Sequence, residues 1–167
     1  MTPTGSADEP RGTVVLRAAG PGDTAVVRSI VQQAYRPYVE ELGFEPGPLR
    51  DDHAGQVAGG QVTLAEVAGS VVGLVVLSRG DAEPVIENVA VRPPWHGRGV
   101  CATLLDHAEA AALSRGHRTI ALYTHELMTL NIEIYTRRGY RPFAADPLPS
   151  GHRLIHLRKE LGPRNPA

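Results

Sequence analysis

Between Val85 and Leu113 the chain reads VIENVAVRPPWHGRGVCATLLDHAEAAAL, an apolar strand pattern that passes through two prolines and two glycines into a helical pattern. Val85, Glu87, Val89 and Val91 alternate with Ile86, Asn88 and Ala90, the period of a strand rich in β-branched residues. Pro93 and Pro94 stop it, because proline lacks an amide hydrogen and has a fixed φ. From Val100 onward Leu104, Leu105, Ala108, Ala111 and Ala112 recur at helical spacing, so a helix starts near Gly99. Its first N–H groups have no intrahelical partner and lie at the positive end of the helix dipole. An anion set against Gly97 to Ala102 would satisfy them, and Gly97 and Gly99, lacking Cβ, would let it approach closely. Paired glycines also occur as plain turns; the flanking strand and helix favour a phosphate site.

The rest of the chain bounds what that site can serve. At 167 residues the length fits one domain that folds without cross-links. The single cysteine, Cys101, excludes an internal disulfide and fits a reducing compartment, so the cytoplasm is expected. No apolar run reaches membrane-span length, and residues 1–12 have neither the basic start nor the apolar core of a signal peptide. Those residues read as a disordered lead-in, residues 13–160 as the domain and 161–167 as a flexible tail. Seventeen Lys and Arg against eighteen Asp and Glu leave a net charge of -1, which argues against a nucleic-acid partner. Seven histidines show no metal-ligand spacing, so no metal is expected.

Reading onward from the N-terminus, Val14 to Ala18 is a strand and Asp23 caps a helix with Val26, Val27, Ile30, Val31 and Ala34 on one face. Pro37 should end or bend that helix, with a second short helix and loop over Tyr38 to Pro48 and another helix over Asp51 to Gly59. Gln61 to Val67 and Ser70 to Ser78 form a hairpin, followed by the Glu83 to Val91 strand and the long helix, capped by Gly116. Thr119 to Thr124 is a strand, Leu127 to Arg138 a helix, and Tyr140 to Phe143 and Leu154 to Leu157 two final strands. This order implies an α/β fold: a mixed, mostly antiparallel sheet with helices on both faces, and a ligand crevice where the strand after the hairpin meets the long helix.

The segment VRPPWHGRGVCATLL resembles the acyl-CoA pyrophosphate motif of the GNAT superfamily of N-acetyltransferases, Val-x-Pro-x-x-Arg/Gln-x-x-Gly-x-Gly/Ala. It departs from that pattern at His96, where the family has Arg or Gln, and at Cys101, in the last small position. THELMTLNIEIYTRRGYRP is similar to the late helix and strand of a GNAT subset, with Thr124, Met128, Asn131, Tyr135, Gly139 and Tyr140 matching. Asn131 and Tyr135, four residues apart, share a helix face. The resemblance implies a GNAT-like fold and transfer of an acetyl group from acetyl-CoA to a primary amine, on a small molecule or peptide, by direct attack. It implies donor contacts from Val89, Ala90, Val91, His96, Gly97, Arg98, Gly99, Val100, Cys101, Ala102, Asn131 and Tyr135. A main-chain amide released by a bulge within Val89 to Val91 would stabilise the carbonyl oxygen. Tyr135 would act as general acid toward the departing thiolate. Glu87, expected on the strand face of Val89 and Val91, would take the amine's proton through water.

Plainer roles compete with each assignment. Tyr135 also suits a core position, Glu87 a solvated strand position and Asn131 a hydrogen bond to loop backbone. Cys101 lacks the partners of a nucleophile, and His96 reaches a phosphate with one ring nitrogen or when protonated. The acceptor site falls to the first helices and their loop: Tyr35, Tyr38, Glu40, Glu41 and Phe44, joined by His125 and His152. Aromatics beside carboxylates suit a cationic amine and equally suit packing. Three other functions stay open: an acyl-CoA-binding regulatory module without catalysis, a dinucleotide oxidoreductase using GRGVCA as G-x-G-x-x-A, and a transferase acting on aminoacyl-tRNA. Dimers are common among similar proteins, so a homodimer is an open expectation.

Overall fold

A computed structural model describes residues 12–162; residues 1–11 of the expected lead-in and 163–167 of the expected tail lie outside the described residues. Seven strands form one sheet in the order β1-β2-β3-β4-β5-β7-β6. β1 (Val14–Ala18), β2 (Val62–Val67), β3 (Ser70–Leu77) and β4 (Val85–Val91) are successively antiparallel, as are β5 (Thr119–His125) with β7 (Arg153–Glu160) and β7 with β6 (Arg141–Pro147). The exception is β4 with β5. They run parallel and pair only at Val85↔Ala121 and Ile86↔Leu122, then part company. From Glu87 to Val91, β4 therefore presents an edge with no neighbouring strand on one side.

Helices cover both faces. On one, α1 (Thr24–Leu42) and α2 (His53–Ala58) pack Val27, Ile30, Val31, Tyr35 and Val57 against Val62, Leu64, Leu74, Val76 and Ala90. On the other, α3 (Val100–Ser114) buries Val100, Leu104, Leu105, Ala108 and Ala112 against Val72, Val75, Ile86, Val91 and Ile120. A Cβ at Gly73 on β3 would lie 3.0 Å from Ala90 O, 3.1 Å from Val100 Cγ1 and 3.3 Å from Leu104 Cδ1. Glycine there lets the start of α3 settle onto the sheet. The fourth helix, α4 (Thr129–Arg137), follows β5 and stands over the gap between β4 and β5.

Three expectations need correction. Pro37 lies inside a continuous 19-residue α1 rather than ending it, and no second helix occupies Tyr38 to Pro48 beyond a 3-10 turn at Gly47–Arg50. Pro37 sits on the exposed face, while Tyr35, Tyr38 and Leu42 carry the packing past it. Tertiary burial there outweighs the missing hydrogen bond to Gln33. β6 and β7 extend well beyond the short strands expected, and Tyr140, just before β6, is fully buried with its hydroxyl donating to Glu109 Oε1 at 2.9 Å. Leu161, assigned to the tail, packs in the α3-side core, and its N–H donates to Arg118 O at 2.7 Å.

Candidate active site

The chain's path around Val91 sets out the first half of the site. Arg92 N–H donates to Val72 O at 2.8 Å, so by two-residue alternation the main-chain groups of Ala90 and Asn88 also face β3. Those of Val89 and Val91 face the gap. Their carbonyls are met there by side chains: His96 Nε2 at 2.9 Å from Val91 O, and the Tyr35 hydroxyl at 3.4 Å from Val89 O. Val89 to Val91 pair regularly with Gly73 to Val75, so no bulge frees these amides, contrary to expectation. The departure of β5 does. The irregularity lies instead between Val76↔Asn88 and Leu77↔Ile86, which makes Glu87 the extra residue of β4.

A 3-10 turn at Pro93–Trp95 carries the chain to His96, Gly97, Arg98 and Gly99. Gly97 and Gly99 have φ of 72° and 82°, in the left-handed region that favours glycine, and a Cβ on either would meet nothing within 4 Å. The loop's outer side is open. The first main-chain hydrogen bond of α3 runs from Thr103 N–H to Gly99 O at 3.0 Å, leaving the N–H groups of Val100, Cys101 and Ala102 without a partner in the helix.

A cavity of about 590 Å³ joins these parts. It is lined by Val89, Ala90, Val91, His96, Gly97, Gly99, Val100, Cys101 and Ala102, by Tyr35 and Tyr38 of α1, and by Asn131 and Tyr135 of α4. Of the residues expected to hold a donor, Arg98 alone is not in the wall; its guanidinium lies over the Trp95 ring at 5.1 Å. His96 Nε2 meets a carbonyl, which only accepts, so that nitrogen carries a proton and spends it on Val91 O. Trp95, Leu130, Ile134, Arg137 and Arg138 also line the cavity and were not anticipated. Arg138 is tied to Asp106 at 2.6 Å and to Glu109 at 3.4 Å, which fixes a cation at the wall. Burial pushes the Cys101 thiol up, away from the thiolate a nucleophile needs.

A second cavity of about 320 Å³ opens on the α1–α2 side, lined by Phe44, Glu45, Arg50, Glu87, Asn88, Tyr123, His125 and Leu154 among others. The two cavities share Tyr35, Val89, Asn131 and Tyr135. Tyr135 thus stands at their junction. Burial, then the nearby Cys101 and Tyr38, keep its hydroxyl protonated far above the usual tyrosine range. Glu87 does not share a face with Val89 and Val91, which pack toward α3. As the extra residue of the bulge it turns with Asn88 toward α1 and α2, where Gln56 Nε2 donates to its Oε2 at 3.5 Å. Burial and the neighbouring Asp51 raise its pKa.

The expected acceptor residues divide. Phe44 and His125 line the second cavity, with rings stacked at 4.1 Å, and His152 lies 5.2 Å from His125. Tyr35 serves both cavities, Tyr38 only the first, and Glu40 and Glu41 are exposed on α1 and line neither. Among the polar wall residues missed were Asn88, a polar position in an apolar strand pattern and so a legible signal, and Glu45, Arg50 and Tyr123, for which the sequence offers none. No helix among the described residues is long and apolar enough to cross a membrane, and no group of three or more His, Cys, Asp or Glu among them is placed to hold a metal.

The model of the acetyltransferase (GNAT) family matches residues 11–140. The chain belongs to that family. Among solved structures, the PaiA N-acetyltransferase of Thermoplasma acidophilum, in complex with coenzyme A, aligns at 13% identity over 89% of this chain and 99% of its own, with a TM-score of 0.73. The IAA acetyltransferase of Bacillus cereus ATCC 14579 aligns at 24% identity over 89% and 100%, with a TM-score of 0.68. The N-acetylglutamate synthase of Neisseria gonorrhoeae, complexed with coenzyme A and N-acetyl-glutamate, aligns at 20% over 90% of this chain but 35% of its own, with a TM-score of 0.68. These share the GNAT fold, and membership supports an acyl-CoA-dependent acetyltransferase. It also removes the dinucleotide oxidoreductase reading: β4, the strand before the glycines, lies in a GNAT sheet with an antiparallel hairpin upstream.

Proposed function

We propose that the protein transfers an acetyl group from acetyl-CoA to a primary amine, with both substrates bound at once. The observation that carries this is the meeting of two cavities at Tyr35, Val89, Asn131 and Tyr135. The larger suits the donor: open glycines and unpaired N–H groups at the start of α3, with Arg137 and Arg138 in the wall, complement a diphosphate. The free side of β4 suits an extended pantetheine arm. Two of the structural neighbours hold coenzyme A, which favours the same donor.

In this reading acetyl-CoA supplies an activated thioester, and the chain's own groups do the rest. The outward N–H of Val89 or Val91 stabilises charge gathering on the carbonyl oxygen as the C–N bond forms. Glu87, reached through water, accepts the proton that the substrate ammonium must lose before its nitrogen can attack; its raised pKa brings it nearer the working pH. The Tyr135 hydroxyl donates its hydrogen bond to the sulfur as the C–S bond breaks. Kept neutral by burial, the phenol passes to the thiolate the second proton that the nitrogen sheds as the intermediate collapses, and so ends the step as it began. The products are the N-acetyl amine and CoA thiol. An amine panel scored by free thiol tests the proposal: release dependent on both substrates is expected, and tight CoA binding with no release from any amine would leave a binding module instead.

A further inference from the structure

The second cavity holds more hydrogen-bond donors than its own walls use. Asn88 on β4 is 4% exposed; its Oδ1 accepts from the Tyr35 hydroxyl at 2.7 Å, which turns its amide NH₂ the other way, and Nδ2 is buried with no partner. His125, at the end of β5, is 7% exposed, and its Nδ1 accepts from Leu127 N–H at 3.1 Å. The ring proton therefore sits on Nε2, which is also buried with no partner. Stacking of Phe44 on the ring at 4.1 Å fixes the direction of that N–H. Buried unpaired donors are rare and costly, and here two of them line one cavity from opposite sides of the gap between β4 and β5.

A third donor stands at the rim. The Arg50 side chain is 69% exposed and is held by a single 3.4 Å contact with Glu45. Against these three donors the cavity sets two carboxylates, Glu87 and Glu45. A purely cationic amine would answer the carboxylates and leave the donors unsatisfied. A ligand carrying an ammonium and a carboxylate answers both.

We infer that the acceptor is a free amino acid, bound with its amine toward Tyr135 and Glu87 and its carboxylate oxygens on Asn88 Nδ2, His125 Nε2 and the Arg50 guanidinium. The inference rests on the acetyl-transfer reading and adds the class of acceptor to it. A cavity of about 320 Å³ is of small-molecule size, which fits a free amino acid better than a folded protein substrate. Burial and the neighbouring His152 hold His125 below the usual histidine range, so it stays a neutral Nε2–H donor at neutral pH.

The test compares each proteinogenic amino acid with its decarboxylated amine, using acetyl-CoA and scoring CoA thiol. For the preferred side chain the amino acid should exceed its decarboxylated partner by about 100-fold or more in kcat/KM, since a site built to hydrogen-bond a group rejects the analogue lacking it. Arg50→Met, at an exposed position that folding does not depend on, should cut that ratio about tenfold through KM, and His125→Phe should cut it too. In the wild type without acetyl-CoA, the favoured amino acid should shift the His125 Nε2 proton resonance. Equal use of both partners, or a ratio untouched by Arg50→Met and His125→Phe, overturns this inference and leaves acetyl transfer standing. Thiol release from no amine, while acetyl-CoA still protects Cys101 from alkylation, removes both.

Discussion

Glu87 shows how one side chain divides stability from chemistry. Its folded-state pKa is raised by burial and then by Asp51, so its protonated form is favoured in the fold. Its stabilising contribution is therefore present at low pH and lost as pH rises through the folded value. In the proposed mechanism its basic form follows the opposite course, active above that pKa. Glu87→Gln should leave the melting temperature at neutral pH unchanged or higher, yet lower kcat/KM and flatten the acidic limb of its pH profile, which parallel thermal and kinetic titrations check. Tyr135→Phe should lower kcat by about 10²-fold while CoA affinity by calorimetry changes little. The sequence named both as candidates, Tyr135 through the resemblance and its four-residue spacing from Asn131, and Glu87 on a strand face it does not occupy. The acceptor side was less legible. Glu40 and Glu41, expected in a second short helix and its loop, instead continue α1 on its exposed face. His96 was legible as a departure from a motif, not as a ring bonded back to Val91.

Among the elements, α3 depends most on what lies beneath it. Gly73→Val would push the sheet against Val100 and Leu104 where even a Cβ is crowded, an overpacking cost of about 1–3 kcal/mol. A melting temperature lower by several degrees, with weakened CoA binding, is the expected result. Gly99→Glu, at a φ of 82°, adds strain, bulk and negative charge where the helix begins, and should abolish CoA binding in a direct titration. The strand, glycine turn and helix were readable because each has a local period and a local stop. The continuity of α1 through Pro37 and the bulge at Glu87 were not. Proline's effect was overridden by packing from Tyr38 and Leu42, and the alternation of VIENVAV looks regular to the eye whether or not a residue is extra.

At the level of the whole molecule, the order of elements gave away a mixed sheet covered on both faces and the end at which a crevice opens. What no local pattern carries is the parting of β4 from β5 after two residue pairs, because it depends on how α4 and the α1–α2 layer fill the space between them. A ligand bound along that opening stabilises the entire fold by mass action. Acetyl-CoA at about 100 times its dissociation constant should add about 2.7 kcal/mol, seen as a rise of several degrees in melting temperature, while NAD should add nothing. Both cores, finally, would survive without Glu87. Ile86 already packs toward α3 and Asn88 toward α1, so removing the residue between them restores an uninterrupted ladder and disturbs neither layer. The architecture is complete at one residue fewer, and the surplus is the carboxylate that the proposed mechanism uses as its base: on that mechanism, a single deletion should part shape from reactivity.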